Sequence, residues 1–448
     1  MNKLTIALMP IARTTFDIEL AKTNTSIVRA NLENADLDII GPDELITDLA
    51  RAQSFREGLR SENPDLIVVF QATFADSSMV MSIMDEVDAP VLFWAVPEEH
   101  TGGRLRLNSF CGINLAGHAL TREGYQYEHI FARPDDSSAI EKICTLAKAG
   151  RTRNYLKNAR LGRVGENPAG FETCLMDEDK IKDLFGLEVV QFDLSEDVFN
   201  ATRKIDPARI DQIRKSLNTR VSGLNELEPD ATSSSLGVYA TLQQIANRQE
   251  INGFAVRCWP EFFTELGCAA CGAMSMMSDE LIPCSCEADV NGTITQMILQ
   301  TISGEPAFGT DMVSVDDEKD ALVVWHCGLA PLSMADPEEQ PGVTIHSNRK
   351  FPLLFEFSLK PGPVTMARLS EATGEYQLVI GRGKMIRGPK SFSGTSGLIQ
   401  FDRPVKEVVD VVMEQGLEHH ISITYGNHAD ALIAFAQYLD IPVIQLNT

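Results

Sequence analysis

At 448 residues, 44% hydrophobic and 23% charged, with 31 Gly and 21 Pro, the chain has the usage of a folded protein of about three domains. Its 63 acidic against 39 basic residues give −24 at pH 7, a field that repels phosphate backbones and anionic headgroups, so neither a nucleic-acid nor a membrane partner is expected. No stretch approaches the ~20 consecutive apolar residues of a membrane-spanning helix, and nine Cys at irregular spacing predict free thiols in a reducing cytoplasm rather than a disulfide framework. Lys3 precedes an apolar run from Leu4 to Ala12, but Pro10 interrupts it and Arg13, Asp17 and Glu19 follow without a cleavage signature, so a first strand is predicted there.

The first third alternates apolar strands (Leu4 to Met9, Leu37 to Ile40, Leu66 to Phe70, Pro90 to Val96) with amphipathic segments near 17–33, 44–60 and 76–87, which predicts βαβ units and a parallel sheet. Arg13, Gln71 and Trp94 fall at the strand-end rim where open α/β sheets bind ligands, and no G-x-G-x-x-G follows the first strand. A helix from Ser137 and a strand from Ala159 to Val164 open a second α/β unit near 146, with helices over Asp206–Leu217 and Ser234–Asn247 and a strand over Ile251–Arg257. From about 320, β-type runs (Ala321 to Trp325, Leu353 to Ser358, Val364 to Leu369, Tyr376 to Ile380) between turn signals predict an antiparallel sheet or small barrel, and the tail returns to strand, helix and strand after Ile421.

Three segments concentrate chemistry: AVRCWPEFF (255–263), CSCEADVNG (284–292) and GLEHHISITYGNHADAL (416–432). Glu261, Asp289 and an imidazole from the third make an O,O,N set suited to a hard or borderline divalent ion such as Mn²⁺ or Mg²⁺. Cys268, Cys271, Cys284 and Cys286 have the clustering of a zinc site, but the apolar segment between them favours packed, reduced thiols. His326 ends an apolar strand, as a substrate contact or a core histidine. Arg382, Lys384, Arg387 and Lys390 lie in a Gly/Ser-rich stretch (381–397) read as a loop able to bind an anion, the alternative being a solvated hairpin.

The tail HHISITYGNHADALIAFAQYLDIPV, the block CEADVNG and the WPE block together resemble the L-fucose and L-arabinose isomerase group in order and approximate spacing, over 251 to the C-terminus, with SFCGINLAGHAL (109–120) a looser match. The resemblance implies two Rossmann-like α/β domains (1–145 and 146–285) followed by a C-terminal domain (286–448) containing an antiparallel β-barrel. It also implies a metal-dependent aldose–ketose isomerase, with Glu261 and Asp289 sharing metal binding and proton transfer and His420 the third ligand, the alternative register being the neighbouring His419, since adjacent strand positions face opposite sides. Mn²⁺ is the expected ion, with Mg²⁺ and Co²⁺ as its neighbours. Assembly as a homo-oligomer, trimer or hexamer, would bring N-terminal residues such as Arg13 to an adjoining subunit's site, and Trp94, His326 and Arg387 complete the expected substrate contacts. The chemistry suits the set, since moving a proton between C1 and C2 through an enediol needs a base beside a Lewis acid that holds O1 and O2. If the basic stretch reads an anion, the sugar is a sulfonated hexose such as sulfoquinovose, converted to sulfofructose. The rival readings are a non-catalytic sugar-binding protein and a metal-dependent sugar-acid lyase or epimerase.

Overall fold

The computed structural model describes residues 3–59, 61–84 and 86–447, in two compact units, Met1–Asn154 and Tyr155–Thr448. In the first unit, β1 (Thr5–Ile11), β2 (Asp38–Ile40), β3 (Leu66–Gln71), β4 (Val91–Ala95) and β5 (Glu128–Phe131) form an all-parallel sheet in the order β2-β1-β3-β4-β5. Helices cover it, so β3 and β4 are buried at every position and read as continuous apolar runs. Helix Ile18–Asn34 starts where the Asp17 carboxylate accepts from Leu20 N at 3.1 Å, and it buries Ala21, Thr25, Val28 and Leu32, one stripe at helical spacing. The expected rhythm is present, with β5 as a strand that the apolar pattern did not mark.

The second unit opens with the parallel sheet β7-β6-β8-β9, built from β6 (Arg160–Val164), β7 (Glu188–Phe192), β8 (Gly253–Val256) and β9 (Cys284–Ser285). Next come β10 (Phe308–Asp316), β11 (Ala321–His326), β12 (Gly342–Thr344), β13 (Leu354–Ser358), β14 (Gly362–Ser370), β15 (Gln377–Ile386), β16 (Thr395–Gln400), β17 (His420–Tyr425) and β18 (Val443–Gln445). The circuit β16-β11-β10-β17-β14-β15 returns to β16 through antiparallel pairs throughout, a closed six-stranded barrel, while β12, β13 and β18 extend it. Helix Val290–Ser303 packs against β8, β14 and β17, and its residues from Val290 to Ile302 are all buried, its Asn, Thr and Gln side chains included, so this span has no solvent-facing side. One core runs through both sheets, from Phe254 and Val256 to Val324, Met366, Ile399 and Ile423.

One open reading is decided and one expectation is corrected. The basic stretch is the hairpin of its two readings, because β15 continues to Ile386 and pairs antiparallel with β16: a Cβ at Gly383 would stand 2.5 Å from Ile399 Cγ2, so this glycine lets β15 and β16 close the barrel rather than marking a turn. Nor are all nine cysteines free, since Cys258 and Cys286 are joined with Cα atoms 5.8 Å apart. Among the described residues, no helix is long and apolar enough to cross a membrane.

Candidate active site

Strand register assembles the site. Asp311 on β10 lies directly opposite His420, the first residue of β17, and opposite Trp325 of β11, whose neighbour His326 ends that strand. Three adjacent barrel strands thus deliver a carboxylate and two imidazoles to one place, with Asp311 Oδ1 3.4 Å from His420 Nε2 and the two rings 6.0 Å apart. The fourth group arrives from the parallel sheet. After β9 the backbone passes through left-handed conformations at Glu287 (φ 59°) and Ala288 (φ 54°), and these turn the Glu287 side chain toward the barrel end before Asp289 caps helix Val290–Ser303. Glu287 Oε1 accepts from Trp259 Nε1 at 3.2 Å, and Oε2 lies 3.2 Å from His419 Nε2 and 3.8 Å from His420 Nε2. The Cys258–Cys286 bond ties together the residues that immediately precede Trp259 and Glu287.

Beneath this cluster lies a second charged layer. Asp289 is fully buried and accepts from Arg368 through both oxygens, at 2.6 and 3.1 Å, as well as from Gly292 N. Burial would raise its pKa, but the Arg368 charge and the hydrogen bond from His420 outweigh it and hold the carboxyl far below the usual carboxylate range. An ionised Asp289 only accepts, so the 2.9 Å contact to His420 fixes the proton on Nδ1 and turns the Nε2 lone pair toward Glu287 and Asp311. Burial likewise pushes Glu287 up, and the hydrogen bond from His419, the nearby His420 and the Trp259 N–H bring it below its ordinary value. His419 loses basicity through burial and regains more from its hydrogen bond to Glu287 and the charges of Asp311 and Glu287. His326 Nδ1 accepts from Cys327 N at 2.8 Å, which leaves Nε2 as a donor. Cys174 Sγ lies 3.8 Å from Glu287 Oε2, its thiol kept protonated by burial and by the charges of Asp289 and Glu287.

The set fits a divalent cation. Asp311 Oδ1 is buried and, among the described residues, has no hydrogen-bond donor, while it shares the His420 Nε2 lone pair with a second carboxylate. Acceptors gathered in that way are stable around a positive charge. Candidate ligand atoms of Asp311, His326 and His420 lie within 4.8 Å of one another, as do those of Cys174, Glu287, His419 and His420, although His326, with Nδ1 accepting from Cys327 N, faces the cluster as a donor.

Of the residues expected from sequence, His420, Asp289 and His326 come together here. Asp289 sits one layer behind, its oxygens taken by Arg368, Gly292 N and His420. Glu261 precedes the short helix Phe262–Leu266 and pairs with Arg257 at 2.9 Å. Arg387 is bidentate to Asp336, at 2.7 and 3.0 Å, and also meets Glu338. In the first unit, Trp94 is a fully buried core residue whose indole donates to Ala132 O, and Arg13 pairs with Asp76 at 3.1 Å and lies over Phe74. The fold adds Glu287, Asp311 and Arg368 to the cluster. Glu287 lies in the CEADVNG block two residues before Asp289, and Asp311 lies among surface-like acids in TDMVSVDDEKD. The four cysteines weighed for zinc do not gather: Cys286 is bonded to Cys258, Cys271 Sγ is 3.3 Å from Cys327 Sγ, and burial pushes the Cys268 thiol to about 12.

Comparison with known proteins bears on the class of the chain. Residues 7–157 match a domain described as fucose/sulfoquinovose isomerase, N-terminal domain, and residues 355–447 match the L-fucose isomerase C-terminal domain. Similar proteins along the whole chain include the sulfoquinovose isomerase of Alkalicoccus urumqiensis, 32% identical over 447 residues (99% of each chain). The sulfoquinovose isomerases of Priestia aryabhattai, 29% over 444 residues (98% of this chain, 99% of the relative), and Clostridium sp. (strain MSTE9), 28% over 443 residues (98% of each), are similar over the same span. Two α/β sheets, a closed barrel and these relatives define a sugar aldose–ketose isomerase. The chain belongs to the fucose/sulfoquinovose isomerase family.

Proposed function

We propose that the enzyme interconverts sulfoquinovose and sulfofructose with the help of a divalent metal, Mn²⁺ or a neighbour such as Mg²⁺ or Co²⁺, held by Glu287, Asp311 and His420. The observation that carries this is the convergence of two carboxylates on the His420 Nε2 lone pair, with Asp311 Oδ1 lacking a donor. The full-length relatives named for sulfoquinovose supply the substrate. Bound there, the ion would polarise the sugar's O1 and O2 and acidify the proton on C2. The Asp311 carboxylate, whose Oδ1 would face the ion, would take that proton through its other oxygen and return it to C1. Glu287, oriented by Trp259 and His419, accepts and returns the hydroxyl proton as the carbonyl moves between C1 and C2. His326 Nε2 donates to a sugar oxygen, and Asp289 and Arg368 fix the orientation of His420. Assembly as a homo-oligomer in the cytoplasm, trimer or hexamer, belongs to the same reading.

The test is an NMR assay in D₂O with sulfoquinovose, in Mn²⁺ or EDTA, following ketose formation and deuterium uptake at C2. Metal-dependent formation of the ketose is expected, and Glu287→Gln should lower turnover by at least about 10²-fold while the protein stays folded. Turnover undiminished in EDTA would defeat the metal reading. No ketose in either condition would favour a binding protein.

A further inference from the structure

An aromatic wall leads away from the cluster. Phe171 lies 6.1 Å from the His419 ring and edge-on to Trp259 at 5.5 Å, and Trp259 in turn donates to Glu287. On this wall rests Arg349, its guanidinium carbon 5.0 Å from the centroid of Trp259 and 5.0 Å from that of Phe263. The loop that carries it, between β12 and β13, is held by backbone bonds from His346 N to Phe351 O (2.9 Å) and from Lys350 N to His346 O (2.8 Å). His346 Nδ1 also accepts from Asn348 N and Arg349 N, at 3.3 and 3.4 Å, and its ring packs edge-on against Phe263 at 5.3 Å.

Charge distinguishes Arg349 from the other arginines near the cluster. Arg368 is committed to Asp289 and Glu418, Arg257 to Glu261 and Arg163 to Glu166. Arg387 is committed to Asp336 and Glu338. Among the described residues no carboxylate pairs with Arg349, which is exposed in a chain of net charge −24. A guanidinium held against aromatic rings by cation–π contact still carries N–H donors in a planar fork, the group that grips a sulfonate, phosphate or carboxylate by two bonds. It stands one indole away from Glu287, on the scale of an open six-carbon sugar, which reaches about 6 to 8 Å from C1 to a substituent on C6.

We infer that Arg349 is the cation that reads an acidic substituent at the far end of the sugar chain and so makes the site selective for an anionic aldose. This rests on the isomerase reading above, with C1 and C2 at the Glu287–Asp311 end. The neutral face of Trp259 lies along the carbon chain between the two ends, and Arg349 supplies the specificity-determining contact.

The experiment measures initial rates of the full-length, Mn²⁺-supplemented enzyme on sulfoquinovose and on its neutral counterpart 6-deoxyglucose, for the wild type, Arg349→Gln and Arg349→Lys. Loss of a charge-assisted pair in Arg349→Gln should lower kcat/KM on sulfoquinovose by about 10- to 100-fold, chiefly through KM, against about threefold or less on 6-deoxyglucose. Arg349→Lys should recover part of the loss, since it restores charge without the fork. Calorimetric titration with sulfoquinovose should show the same about 10- to 100-fold weakening in Kd, independent of turnover. Equal losses on both sugars, or unchanged sulfoquinovose affinity in Arg349→Gln, would overturn the role of Arg349 and leave the isomerase reading standing. A wild type that prefers the neutral sugar would overturn the anionic-substrate reading together with this inference.

Discussion

Asp289 shows how one buried carboxylate can set a site without facing the substrate. Its two oxygens accept from Arg368, Gly292 N and His420, so the lone pair that His420 presents at Nε2 is a consequence of the ion pair beneath it. Asp289→Asn keeps an acceptor for Nδ1 but leaves the guanidinium of Arg368, which is 2% exposed, without its main counter-charge. The expected loss is about 3 to 5 kcal/mol, the usual effect of breaking one side of a buried pair, read as a fall in the urea midpoint at unchanged m-value. The sign with pH follows from the depressed carboxyl. Its contribution is complete above the unfolded value of about 4 and disappears only as pH falls through the much lower folded value. The gap between wild type and Asp289→Asn should therefore be constant from neutral pH down to about pH 4 and narrow only below it. A gap that already closes by about pH 6 would show that Asp289 is not ionised through its pairing with Arg368.

Three neighbouring strands and one turn make the centre, and that division explains what the sequence could reveal. His420 is marked by the resemblance of the tail motif and His326 by its place at the end of an apolar strand, where a substrate contact and a core histidine look alike, and the barrel is legible in the alternation of apolar runs with Gly and Pro turn signals. Asp311 is not, since its role depends on β10 lying between β11 and β17 in a register that puts it opposite His420, and pairing across more than a hundred residues leaves no local pattern. Glu287 was lost for a different reason. Two residues apart in an extended strand it would share a face with Asp289, but the left-handed backbone at Glu287 and Ala288 sends one carboxylate toward the barrel end and the other into the layer beneath. Glu261 is marked by the order of the motifs, and its i,i+4 partner Arg257 answers its charge. If the barrel strands hold the metal, Mn²⁺ at about 100 times its dissociation constant should stabilise the native state by about 2.7 kcal/mol. A thermal scan would show this as a rise in Tm that EDTA reverses, greatly reduced in Asp311→Asn and in His420→Ala and nearly retained in Glu261→Gln. A full shift in Asp311→Asn would remove it from the ligand set.

Over the whole molecule the governing quantity is the surplus of 63 acidic over 39 basic residues. The numerous surface ion pairs, such as Lys22–Glu19, Arg51–Glu44 and Arg403–Glu407, weigh little individually, typically about 0 to 1 kcal/mol. Self-repulsion among the unpaired acids acts over the full surface and is long-ranged at low salt. Raising NaCl from about 20 to 300 mM shortens the screening length from roughly 20 Å to below 8 Å. It should therefore raise Tm by a few degrees at pH 8, the opposite of what a fold held by exposed salt bridges would show. Toward the isoelectric point near 4.7 the repulsion vanishes, and the salt effect with it. Acid brings a second trend of opposite sign. The hydrogen bond and charge of Arg387 hold Asp336 below the usual carboxylate range, and the pairing of Glu287 acts likewise, so the stability these groups supply is present above their unfolded values near 4 and is lost as pH falls through the folded ones. Tm measured against pH at low salt should thus rise from pH 8 toward about pH 5 to 6 as repulsion eases and fall steeply below about pH 4. In 300 mM salt the same curve should flatten on its alkaline side and keep its acid limb. A curve that instead declines steadily from pH 8 to 5 at low salt would mean that specific ion pairs, and not the surplus of negative charge, dominate the pH response of this molecule.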